Sequence, residues 1–192
     1  MSQLSHRKWD KYGGIVSTMN NQEKNTYVRT QLLNSLLEMM KEQDFQTIAI
    51  QDLTSRAQVG RASFYRNYSS KEDILKQETE RLSIILEKLI ETKSPSDPSE
   101  TLLIILDFYK EHSDFYLTLH QSGMLSIILE SLINHIHITK ETPNIEAYLK
   151  SSIAYMLYGW IIEWINRGMQ ESGTELANIF RQSNSLNPIT PK

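Results

Sequence analysis

The sequence predicts an all-α protein: three short helices, a long connecting helix, and a larger helical bundle. Three observations predict it. Apolar residues recur every three or four positions over most of the chain. Gly and Pro are sparse, 7 and 5 in 192 residues, so little interrupts long helices. No stretch alternates apolar and polar residues, and no hairpin dipeptide stands out.

Residues 1–23 read as a polar arm, with Met19 an alternative start. The first helix is expected over 24–42, where Val28, Leu32, Leu36 and Met40 recur every four residues. Thr47 is positioned to cap the second helix, whose short apolar stripe is Ile50, Leu53 and Ala57. Gln58-Val59-Gly60 forms a tight break, and 61–67 the third helix, anchored in the core by Phe64. Ser69 with Glu72, or Ser70 with Asp73, fits a capping box opening a helix that runs to about 92, with Ile74, Leu75, Leu82, Ile85, Leu86 and Leu89 inward. The run SPSDPS at 94–99 is a linker. Helical patterns follow at about 98–112, 113–121, 124–138, 145–169 and 173–183. The expected division is an arm (1–23), an N-terminal domain (24–76) and a C-terminal domain (77–192).

Several classes of chemistry are excluded or disfavoured. Without Cys there is no disulfide, thiolate metal site or Cys nucleophile. His135 and His137 are two apart and would diverge on a helix, so no metal is expected. Nothing resembles a nucleophile with its base or a phosphate-binding loop beyond Gly13-Gly14, so neither an enzyme nor a cofactor is expected. The most apolar run, IAYMLYGWIIEWI at 153–165, is too short for a bilayer and contains Glu163, so a cytoplasmic protein without membrane contact is expected.

Charge is uneven. The total is −3, yet residues 1–21 carry +2, 22–76 carry +1 and 77–192 carry −6. Residues 57–71 hold Arg61, Arg66 and Lys71 and no acid. Two short helices joined by a tight turn fit a helix-turn-helix, whose second helix enters the major groove of double-stranded DNA. In that role Arg61 pairs with guanine, Ala62 touches a thymine methyl and Ser63 adapts as donor or acceptor. Tyr65, Asn67, Tyr68 and Lys71 would face phosphates, and Thr47 would add a contact at the start of the second helix.

The segment TIAIQDLTSRAQVGRASFYRNYSSKEDIL, within about residues 25–76, resembles the DNA-binding signature of the TetR family of transcriptional regulators. Matching positions are Ile50, Leu53, Ala57, Val59, Ser63, Phe64, Tyr65, Tyr68, Lys71, Glu72 and Leu75. Gly60 stands where the family usually has a capping serine or threonine, Ala62 where it has glycine, and Tyr68 where it has phenylalanine. The resemblance implies a homodimeric regulator reading a near-palindromic operator, here expected to be a repressor, with a C-terminal bundle that binds a small effector. The alternative is an adaptor of the same fold acting through protein contacts.

In the C-terminal part, 145–169 is apolar nearly all round, so more than its own core must cover it. Ile153, Leu157, Trp160, Trp164, Leu176 and Phe180 are expected at a two-fold interface. Phe108, Tyr109, His112, Phe115, Tyr116, His120, Met124 and Tyr155 are candidates for an effector pocket.

Overall fold

The computed structural model describes residues 20–185; the expectations for the arm at 1–19 lie outside them. Among the described residues the chain forms nine α-helices, one 3-10 turn and no strand. They are α1 (Asn21–Glu42), the 3-10 turn (Phe45–Thr47), α2 (Ile50–Arg56), α3 (Arg61–Asn67), α4 (Lys71–Lys93), α5 (Pro98–Glu111), α6 (Ser113–Gln121), α7 (Ser126–His135), α8 (Asn144–Asn166) and α9 (Gly173–Ser185).

Helix α1 begins earlier than periodicity predicts, because its start is set by a polar cap. The Asn20 side chain accepts from the Glu23 N–H, and the Glu23 carboxylate accepts from the Asn20 N–H, both at 2.8 Å. Helix α4 is capped by Ser70, whose hydroxyl accepts from the Asp73 N–H. The Asp73 carboxylate reaches back to the Ser69 N–H at 2.8 Å. Thr47 is not a cap: Ala49 takes that position on α2 without a side-chain bond, and the Thr47 hydroxyl donates to the Asp44 carbonyl at 2.7 Å.

Helix α1 packs on α2, α3 and α4 around Leu32, Leu36, Phe45, Leu53, Phe64 and Leu75. Helix α4 then leaves this small core and runs into the bundle, against α7 and α5. Helix α9 lies on α5, while α8 packs on α7 and α6. Ile85 faces solvent rather than the core, at 40% exposure, and Leu86 and Leu89 are half-buried. A second link between the two parts is α1 against α6, with Lys41 paired to Asp114 at 2.6 Å.

The bundle interior explains most of the expected pocket residues. Tyr109 and Tyr116 are buried and stacked, ring centroids 4.2 Å apart, and Phe115 and Phe108 close around them. Burial drives both phenol pKa values far above the ordinary range. His112 packs against Phe108 at 4.5 Å between ring centroids, and His120 and Met124 are half-buried. Tyr109 lines a cleft, an opening of about 320 Å³ between α4, α5 and α7. Tyr155 is on the outside, 54% exposed.

Helix α8 has the unusual surface. Ile145, Tyr148, Leu149, Ile153 and Met156 are all exposed, at 42% to 74%. Their spacing places them along one side of the helix. Of the residues expected at an interface, Ile153 lies on this stripe, while Leu157 and Trp160 are half-buried. Trp164, Leu176 and Phe180 belong instead to the chain's own core, each at most 9% exposed. An all-round apolar pattern shows that a helix is covered on several sides; which residues meet the chain itself depends on the path of α5, α7 and α9.

Candidate nucleic-acid interface

The turn between α2 and α3 is built by backbone bonds. Helix α2 ends with the Val59 N–H donating to the Thr54 carbonyl at 2.9 Å and the Gln58 N–H to the Ser55 carbonyl at 3.1 Å. This Schellman pattern puts Gln58 in the left-handed region, φ 53°, where glycine is the usual occupant. Gly60, which the sequence marks as the break, has an ordinary φ of −66° and serves as an N-cap without a side chain. We expect Gln58→Gly to raise stability by about 0.5–1 kcal/mol by relieving left-handed strain, net of the entropy gained by the unfolded chain. A denaturant midpoint that moves down would refute this.

Helix α3 has two faces. Phe64 is fully buried and meets Tyr65 edge to face at 5.1 Å, and Tyr68 at 6.1 Å. Arg61, Ala62, Tyr65 and Arg66 are exposed, Tyr65 at 54%, and Ser63 is half-buried. Thr47, in the preceding 3-10 turn, is also exposed.

Two expected phosphate contacts are placed otherwise. Tyr68 is only 5% exposed; its ring packs on Phe64 and under the Arg29 guanidinium, 5.6 Å away. Burial raises its phenol pKa despite that cation. Lys71 turns inward: its ammonium donates to the carbonyls of Phe45 at 2.6 Å, Ile48 at 2.9 Å and Gln46 at 3.1 Å, and sits 4.6 Å from the Phe45 ring centroid. An ammonium has three donors, so all are committed to holding the turn against the start of α4. Asn67 is half-buried and its amide donates to the Ser63 carbonyl at 2.8 Å.

A polar network missed by sequence reading fixes the end of α3. Gln77 on α4 accepts from Arg29 on α1 at 2.9 Å and donates to the Asn67 carbonyl at 3.3 Å and the Asp73 carboxylate at 3.1 Å. For Asp73, burial pushes the carboxyl pKa up, but the Ser69 N–H, the Gln77 amide and the Ser69 hydroxyl outweigh it and hold the value below normal. Arg56 on α2 grips Glu42 on α1 at 2.5 and 2.7 Å and reaches Glu38 at 3.2 Å. Partners 48 residues apart, such as Arg29 and Gln77, leave no mark in a local pattern.

Residues 32–77 match the family model described as bacterial regulatory proteins, tetR family, and residues 96–185 that described as transcriptional regulator C-terminal region. The chain belongs to the TetR family. It is therefore a TetR-family transcriptional regulator with a helix-turn-helix DNA-binding domain, formed by α2 and α3. Lin0861 from Listeria innocua shares its fold with a TM-score of 0.69 at 16% identity, over 88% of this chain and 95% of that one. A putative TetR-family transcriptional regulator from Syntrophomonas wolfei gives 0.59 at 16% identity, over 88% and 100%. A TetR transcriptional regulator from Streptococcus agalactiae gives 0.51 at 23% identity, over 83% and 94%. No curated protein matches the sequence. Among the described residues of this TetR-family chain no group of three or more His, Asp or Glu could hold a metal ion, and no helix is long and apolar enough to cross a membrane.

Proposed function

We propose that this TetR-family chain is a repressor that binds a near-palindromic operator as a homodimer and is released by a small effector bound in its C-terminal bundle. The observation that carries the reading is α3 itself: Arg61, Ala62, Tyr65 and Arg66 are exposed on a helix whose other face is locked down by Phe64. Arg61 reads guanine, while Ala62 and Ser63 allow the helix close to the bases. Two copies in successive major grooves stand about 34–36 Å apart. The exposed stripe of α8 supports self-association. The cleft of about 320 Å³ beside Tyr109 supports effector entry, because α4 forms one wall and also begins at the DNA-binding domain. An effector that prefers one position of α4 shifts the spacing of the two recognition helices.

A second reading, an adaptor of the same fold, is favoured by one observation: with the Lys71 ammonium occupied, Arg61 and Arg66 are the exposed bases of α3 and its flanks at 57–71. Selection of bound fragments from genomic DNA decides between them. A near-palindromic consensus supports the repressor, and recovery of no preferred sequence supports the adaptor. On the selected site, Arg61→Ala is expected to cost about 1–3 kcal/mol and to relax base preference at one position per half-site. An equal loss on every sequence would remove Arg61 from base reading. Lys71→Ala is expected to act mainly by loosening the 3-10 turn, lowering stability while leaving the salt dependence of binding nearly unchanged.

A further inference from the structure

Helix α3 opens at Gly60, which has no side chain to cap it, and Phe64 near its middle is fully buried. One apolar anchor sets the depth of a helix but not its tilt, because hydrophobic contact is non-directional. Residues 68–70 join α3 to the start of α4, and a single point of attachment is a swivel. The angle of α3 therefore needs a second, directional tie.

Gln77 supplies one. It is half-buried on the second turn of α4. Its amide nitrogen donates to the carbonyl of Asn67, the last residue of α3, at 3.3 Å, and to the Asp73 carboxylate at 3.1 Å. Its amide oxygen accepts from the Arg29 guanidinium at 2.9 Å. A flipped amide would turn its oxygen on a carbonyl and a carboxylate, so the three partners fix one orientation. Asp73 is itself held by the Ser69 N–H at 2.8 Å. Arg29 also lies 5.6 Å from the ring of Tyr68, the residue that closes α3. Helices α1 and α4 thus grip one end of α3, while Arg61 and Ala62 stand at the other. A bidentate contact from Arg61 to a guanine tolerates a spread of only about 0.5 Å in distance, so the tilt of α3 decides whether it forms.

We propose that Gln77 is a positioning residue for base reading: it acts through α3 rather than on DNA, and its bond to the Asn67 carbonyl sets the angle of α3 against α4. The inference rests on the operator-binding reading above.

Affinity of the full chain for the fragment selected from genomic DNA, and for a scrambled duplex of equal length at the same salt concentration, tests it. Gln77→Met keeps the length of the side chain and loses the amide. Its Kd for the selected fragment is expected to rise at least about tenfold, while its Kd for the scrambled duplex stays within about twofold. Gln77→Glu keeps an acceptor for Arg29 but sets a carboxylate against the Asn67 carbonyl and Asp73, so its loss of preference is expected to be larger. A loss of folded chain alone would weaken binding to both duplexes alike. Unchanged preference in either folded variant, or an equal loss on both duplexes, overturns the proposal and leaves operator binding standing. A native chain with no preference between the duplexes overturns the operator reading, and this proposal with it. Should Gln77→Met fail to fold, Gln77→Glu decides alone.

Discussion

Phe64→Ala is expected to destabilise the DNA-binding domain by about 3–5 kcal/mol. The side chain is fully buried, and its ring contacts Tyr65 and Tyr68. Helix α3 has seven residues, too few to persist alone, so its orientation rests on this anchor. The cavity left by the ring cannot collapse easily between Leu53, Leu36 and Leu75, each fully buried. Denaturant unfolding followed by circular dichroism gives the number, and a loss below about 1 kcal/mol would show that α3 is held otherwise. Tyr65→Ala is the control: with 54% of its surface exposed and one edge-to-face contact with Phe64, it should cost about 1 kcal/mol of stability, well below the loss in Phe64→Ala, while still weakening binding to DNA.

Replacing Leu149 and Ile153 together by Asp is expected to convert the proposed dimer to a monomer. The two side chains are 60% and 52% exposed and belong to the uncovered stripe of α8. Two-fold symmetry doubles each loss. At about 1.5 kcal/mol for each of the side chains buried, the association free energy falls by about 6 kcal/mol, some four decades in Kd, before any cost of burying a carboxylate is counted. The monomer should keep its fold, because these positions contribute little to the chain's own core. Sedimentation velocity measures the change, and an unaltered dimer would place the interface elsewhere.

The helices were legible because burying one face of a helix imposes a period that survives without knowledge of its partner. Leu32, Leu36 and Phe64, all 0% exposed, announce themselves that way. The ends of the elements were less legible. Asn20 and Glu23 cap α1 through polar bonds that precede the apolar pattern. The strained residue of the turn is Gln58 rather than the glycine two positions on, because the Schellman bonds of α2 dictate where the chain reverses.

Side-chain roles divided by the range of their partners. Arg61 and Tyr65, expected to face DNA from a helix that Phe64 anchors in the core, are exposed. Lys71 was assigned to phosphate by its place at a helix start, yet its ammonium meets carbonyls 23 to 26 residues upstream. Trp164 was assigned to a partner copy and is enclosed by its own chain.

The amino-acid order by itself determined that the chain is helical, where each helix runs to within a few residues, and that α3 has one apolar and one basic face, since all three follow from interactions spanning a single turn of helix. Only the tertiary structure decided which side of α8 is left uncovered, which cations remain on the surface, and which polar groups of α1 and α4 reach the end of α3. Those depend on how helices distant in the chain come together, and local periodicity carries no record of that.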